Sequence, residues 1–261
     1  MNALASFASL FLGTVVLRPY VFVFLAVFVI AAARDLGARR MLGFLLWGWV
    51  VAFVAEYAST RVGIPFGLYD YTGETRNVEL YIANVPFFDS LSFPFLAYAS
   101  FCLARWRLGP IRPGALAAIA AIFMTLLDVV IDPVAVRGDR WFLGRIFYYP
   151  AGGVYFGVPL SNFAGWLIVG WVTVGGYLTA IARRAGGTAT RAGTPGPGVA
   201  LYYGVLGFNL AITCWIGEFG LFLAGTLVHL AAFLLLYGVG GVRIGRQAHR
   251  HGQDRGGMRR T

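Results

Sequence analysis

Residues 113–134 read PGALAAIAAIFMTLLDVVIDPV. Pro113 to Leu127 carry no charge, and as a helix residues 113–134 extend about 33 Å, enough for a hydrocarbon core about 30 Å thick. Arg105, Arg107 and Arg112 precede it; Asp128 and Asp132 close it. The same pattern repeats in both directions along the chain. Apolar runs at 19–34, 41–60, 81–104, 113–134, 159–182, 199–217 and 219–240 predict seven membrane-spanning helices. Arginine alternates between their connections, and lysine is absent. Fifteen arginines follow the first, third, fifth and seventh runs. Arg61, Arg76, Arg137, Arg140 and Arg145 follow the others, and Arg18 precedes the first. The positive-inside rule then places the C-terminus in the cytoplasm and the start of the first span outside. The expected fold is all-α: a polytopic membrane bundle of about seven helices with aromatic, glycine- and proline-rich outer loops.

Composition agrees. Hydrophobic residues make up 59% of the 261 and charged residues 12%, about half the ~25% of soluble domains. The net charge of +10 is spread over the inner loops and fits a cytoplasmic face against anionic lipid rather than nucleic acid. Residues 1–242 read as a single transmembrane domain without internal repeats. Residues 1–18 form its interfacial N-terminal segment, with an eighth span as the alternative, and no basic n-region marks a signal peptide. Residues 185–199, rich in glycine, proline and threonine, read as a cytoplasmic linker. Residues 243–261 read as a basic, disordered cytoplasmic tail. Cys102 and Cys214 lie in apolar runs and read as core residues.

Nine of the eleven carboxylates collect toward the arginine-poor side. Glu56, Asp89, Asp128 and Asp132 lie near outer ends of spans and Glu218 at the junction of the last two. Asp70, Glu74, Glu79 and Asp139 lie in exposed outer loops. Ionisable groups at membrane depth are costly and are functional candidates by default. Asp128 and Asp132 share one helix face, four residues apart, so one is expected to keep a proton suited to general acid chemistry. Competing readings are structural: Asp132 before Pro133 as a helix end, Asp128 paired with Arg137 or Arg140, and Glu56 paired with Arg61. The outer loops add Tyr69, Tyr71 and Tyr155, and the fifth span adds Asn162 and Trp166. Aromatic groups between fixed turns predict a lid over a hydrophobic slot for a long apolar ligand or a cation.

The inventory excludes several classes. A retinal Schiff base needs a lysine. Iron-dependent membrane oxygenases and bis-histidine haem proteins need more histidines in spans than His229 alone, which reads as a packing residue. No phosphate loop, dinucleotide fingerprint or nucleophile elbow is present. No metal site and no cofactor are expected.

Two motif groups bring a resemblance. Glu56, then PFGLYDYT at 65–72 and Asn84–Val–Pro86, form the first. Asp128–Val–Val–Ile–Asp132–Pro133, then Gly138–Asp–Arg–Trp141, then YFGVPLSNFAGW at 155–166, form the second. Over about residues 41–240 the chain resembles the carotenoid biosynthesis membrane family, which includes CruF-type carotenoid hydratases. The third span departs from the family pattern with Asp89 and FPFLAY at 93–98. The resemblance implies addition of water to the terminal double bond of a ψ-end group in lycopene, γ-carotene or a C50-type acyclic carotenoid. Asp128 or Asp132 would donate the proton and Glu56 would orient the water. Tyr69, Tyr71, Asp89, Tyr155, Asn162, Trp166 and Glu218 would line the substrate. It implies the inner membrane, a carotenoid drawn from the bilayer, and other membrane enzymes of the same pathway as partners. A non-catalytic carotenoid-binding or assembly subunit and a proton-coupled transporter are the alternative functions.

Overall fold

The computed structural model describes residues 3–109, 111–181 and 194–235. Glycine and proline divide the apolar sequence into helices. α1 (Ala3–Leu17) ends before Arg18, and Pro19 takes the first turn of α2 (Pro19–Leu36), where a missing N–H costs nothing. Gly37 and Gly63, at φ 87° and 72°, bracket α3 (Ala38–Val62). α4 (Phe87–Leu108) runs to Gly109, and Pro113 opens α5 (Pro113–Ala135). α6 (Leu160–Gly176) continues into a π turn, Tyr177–Ile181. α7 (Gly196–Trp215) and an apolar helix α8 (Phe219–Leu235) follow.

Six of these, α2 to α7, are long and apolar enough to cross a membrane. α8 is described only to Leu235, so the end of the expected seventh span lies outside the described residues. At 15 residues, α1 extends about 22 Å, short of a hydrocarbon core. α4 is the central helix: 83% of its apolar window is buried, against 28–50% in the other five. Unlike them it presents no whole face to lipid.

Two boundaries differ from expectation. The third span begins at Phe87 rather than 81, because Tyr81–Ile82 (β2) and Val85–Pro86 (β3) form a small antiparallel hairpin. Asp70–Tyr71 (β1) pairs with Phe147–Tyr148 (β4), joining the two long loops. The expected linker ends earlier, since Gly196–Val199 already form the first turn of α7. Its residues 185–193, and the tail 243–261, lie outside the described residues. The loops 63–86 and 137–159 gather at one end of the bundle, hereafter the loop end.

Glu79 is not exposed. It is fully buried and takes two bonds from buried Arg18, at 3.1 Å from Nε and 3.0 Å from Nη2. Arg18 also donates to the Leu143 carbonyl. A charge otherwise isolated among apolar helices thereby ties the start of α2 to both loops. Gly13 makes the adjoining approach possible, because a Cβ there would lie 1.8 Å from the Val78 oxygen. Cys102 is buried as expected, but Cys214 is exposed. His229 is buried, its Nδ1 2.9 Å from the Gly225 carbonyl.

Candidate active site

Helical spacing puts Asp128 and Asp132 on one side of α5, and Asn162 in the first turn of α6 faces them. Asn162 Nδ2 donates to Asp128 Oδ2 and to Asp132 Oδ2, both at 2.7 Å. One amide thus clamps both carboxylates. The other Asp128 oxygen is buried and has no partner among the described residues, so it is open to a proton or a water.

From the opposite wall, Glu56 of α3 accepts a hydrogen bond from Ser90 of α4. Next to Ser90, Asp89 accepts from the Tyr71 hydroxyl at 2.6 Å, and the Tyr69 hydroxyl lies 3.3 Å from that of Tyr71. The β1–β4 pairing turns Tyr71, Phe147 and, past the strand, Tyr149 inward, while Tyr148 stays exposed. Burial first, then the neighbouring carboxylates, holds all three phenols above their usual range: Glu56 and Asp89 for Tyr69 and Tyr71, Asp132 and Asp128 for Tyr149. They are therefore hydrogen-bond donors at any physiological pH. Gly165 lets the lid close down, since a Cβ there would meet Phe66 at 2.5 Å.

These groups enclose a chamber lined by Glu56, Asp89, Asp132, Asn162, Tyr69, Tyr71 and Tyr149, with Phe66, Phe93, Phe147 and Trp166. It leaves about 30 Å³ open to the centre of a water molecule, room for one or two waters at roughly 10–15 Å³ each. Asp89, Phe93, Asp132, Phe147 and Trp166 also line a second, apolar channel of about 90 Å³. It is bounded by α2, α4, α5 and α7, with Trp141, Leu143 and Ile146 from the loop. Asp89 and Asp132 stand where a small polar chamber meets an apolar passage.

The structure therefore brings together Glu56, Asp89, Asp132, Asn162, Tyr69, Tyr71 and Trp166, with Asp128 held behind Asp132 by Asn162. It does not bring in Tyr155 or Glu218. The Tyr155 ring packs on Phe156 and Phe163, and its residue lines neither cavity. Glu218 takes bonds from Arg140 and Arg137 at the junction of α7 and α8. Burial raises its pKa, but the two guanidiniums outweigh that and leave it below the usual carboxylate range. That placement also removes Arg137 and Arg140 as partners of Asp128. Arg61 likewise leaves Glu56 alone: it stacks on Tyr57 at 3.3 Å and bonds Asn84 at 2.8 Å. One face of Trp166 is covered by Phe93, centroids 4.4 Å apart. Ser90, Phe147 and Tyr149 were missed as site residues. Alternation around Phe147–Tyr149 is a usable signal, but only once that segment is known to be a strand; Ser90 carried no signal beyond adjoining Asp89.

Bisanhydrobacterioruberin hydratase of Haloarcula japonica is 29% identical over 181 residues, covering 67% of this chain and 58% of the relative, so the chain spans less than two thirds of that protein's length. No solved structure matches. The family described as carotenoid biosynthesis protein matches residues 14–232, a stretch that holds the entire acid chamber and its apolar channel, and the chain belongs to that family.

Proposed function

We propose that this protein is a carotenoid hydratase, adding water across the terminal double bond of an acyclic ψ-end group. The observation that carries the reading is the junction of a water-sized carboxylate chamber with an apolar channel, at Asp89 and Asp132. Protonated Asp132 delivers its proton to the less substituted alkene carbon, leaving a tertiary cation at the dimethyl carbon. Water in the chamber, oriented by Glu56 and the Tyr69–Tyr71 hydroxyls, attacks that carbon and gives up a proton to a carboxylate. The sum is alkene plus water, with no oxidant and with the acid restored. Asp128 and Asn162 hold Asp132 in place, and the faces of Tyr69 and Phe147 offer electron density to the cation. The name of the Haloarcula relative supports the reaction class.

Heavy-oxygen water supplied to cells making an acyclic carotenoid should label the new hydroxyl, with or without air. Label from molecular oxygen would overturn the proposal. The arginine asymmetry further supports a bacterial inner-membrane orientation with a cytoplasmic C-terminus and the loop end outside. A cytoplasm-specific reporter should then work after Thr261 and fail within 72–76. Association with other membrane enzymes of the same pathway belongs to this reading as well.

A further inference from the structure

The apolar channel has a wall that faces the bilayer. Tyr20 and Phe24 lie one turn apart on α2, and Phe208 faces them from α7. The Tyr20 and Phe208 rings stack at 5.1 Å and 20°, and Phe24 meets Phe208 edge-on at 5.7 Å. All three are half-buried and line the channel. From outside, the half-exposed ring of Phe142 touches Tyr20 at 5.7 Å and Phe208 at 6.4 Å. The same rings therefore border both the channel and the molecular surface. Over the acids, the Arg18–Glu79 pair and the Arg18–Leu143 bond hold the loops down.

Phe208 has room to move. A helical side chain leans toward the preceding turn, and there Gly204 is exposed, with open space where its Cβ would be. Gly207 beside it is likewise open. A ring leaving the Tyr20 stack toward Gly204 turns into this open space, which parts the seam without moving either helix. A long isoprenoid dissolved in lipid cannot cross the polar loops, but it can slide between two aromatic rings.

We propose that the seam between α2 and α7, closed by Tyr20, Phe24 and Phe208, is the lateral passage by which an acyclic isoprenoid end group leaves the bilayer for the acids, and that Phe208 sets which end groups pass. The inference rests on the proposed hydratase reading and adds its route and its selectivity. A methyl-branched chain is thin enough to pass between parted rings; a six-membered end ring is not.

The test uses the full-length protein in liposomes loaded with lycopene, reading pigment retained on the repurified protein and, separately, hydroxylated product. Phe208→Trp should slow both uptake and product formation by about tenfold or more, the scale of an added steric obstacle in an apolar pocket. Phe208→Ala should let the protein retain a carotenoid with two ring ends that the unaltered chain rejects. Leu227→Trp, on the exposed side of α8, should change neither. Should Phe208→Trp fold poorly, Tyr20→Cys with Phe208→Cys in a Cys214→Ala background serves instead. A disulfide there should stop uptake, and reduction of the same sample should restore it. Uptake as fast through a bulky or cross-linked seam as through the native one overturns the passage. If the unaltered protein takes up lycopene but never hydrates it, the reaction falls while the uptake results still judge the passage.

Discussion

Two buried carboxylate groups lie at opposite ends of this bundle and are built on opposite principles. At the arginine-rich end, Asp35 accepts two bonds from Arg105, at 2.7 and 3.1 Å, and one from Tyr98 at 3.1 Å. At the loop end, Glu56, Asp89, Asp128 and Asp132 converge, and among the described residues none forms an ion pair; their donors are Ser90, Tyr71 and Asn162. A buried charge matched by a fork of guanidinium bonds is compensated where it stands, so it ties helices together. Carboxylates held only by neutral donors can exchange protons among themselves. The first arrangement suits architecture and the second suits chemistry. Arg18–Glu79 is a paired charge at the loop end, and it anchors the lid.

The sharpest way to break this contrast is neutralisation. Asp132→Asn should cut hydration by about 100- to 10,000-fold, the range for losing a general acid, while the protein folds as well as before, since an amide carries no buried charge. Asp128→Asn, one helical turn back from Asp132, should lose less. Hydration rates on folded protein check both, and near-normal rates in the two variants would make the loop-end acids structural and move the proton donor to Asp89 or Glu56.

Asp35→Asn should behave in the opposite way. Removing one member of a buried pair costs about 3–5 kcal/mol, so the thermal unfolding midpoint should fall while the folded fraction keeps its rate. Glu79→Gln should cost a similar amount, and should also lower the rate because the loops lose their anchor at Arg18. If Asp35→Asn abolished turnover in folded protein, the division between paired and unpaired acids would fail.

The smallest effect concerns Glu218, a paired but partly exposed carboxylate. Its pKa lies below the ordinary 4.5, so its ion pairs add stability above that pH and lose it as pH falls through the lowered value. Glu218→Gln should therefore melt slightly lower than the unaltered protein at neutral pH. The gap should be small because exposed pairs are screened by solvent, and it should close in acid as Glu218 takes up a proton. A gap that persists once Glu218 is protonated would mean that packing, not charge, is lost.

Six of the expected spans, most of their limits within a few residues, and the end of the bundle that carries most of the acids were legible in the sequence, because hydrophobic length and glycine–proline punctuation act locally. Asp128, Asp132 and Asn162 were legible too, since helical spacing or the start of a span fixes where they point. Pairing was not legible. Glu79 reads as a loop acid until Arg18, sixty-one residues earlier, is known to reach it. Tyr155 and Glu218 share the composition of the site yet lie outside it, while Ser90 and Tyr149 lie inside without advertising it. Which carboxylates meet an arginine and which meet only hydroxyls and an amide depends on how α3, α4, α5 and α6 pack and on where β1 meets β4. Those contacts join residues far apart in the chain, and no local period encodes them.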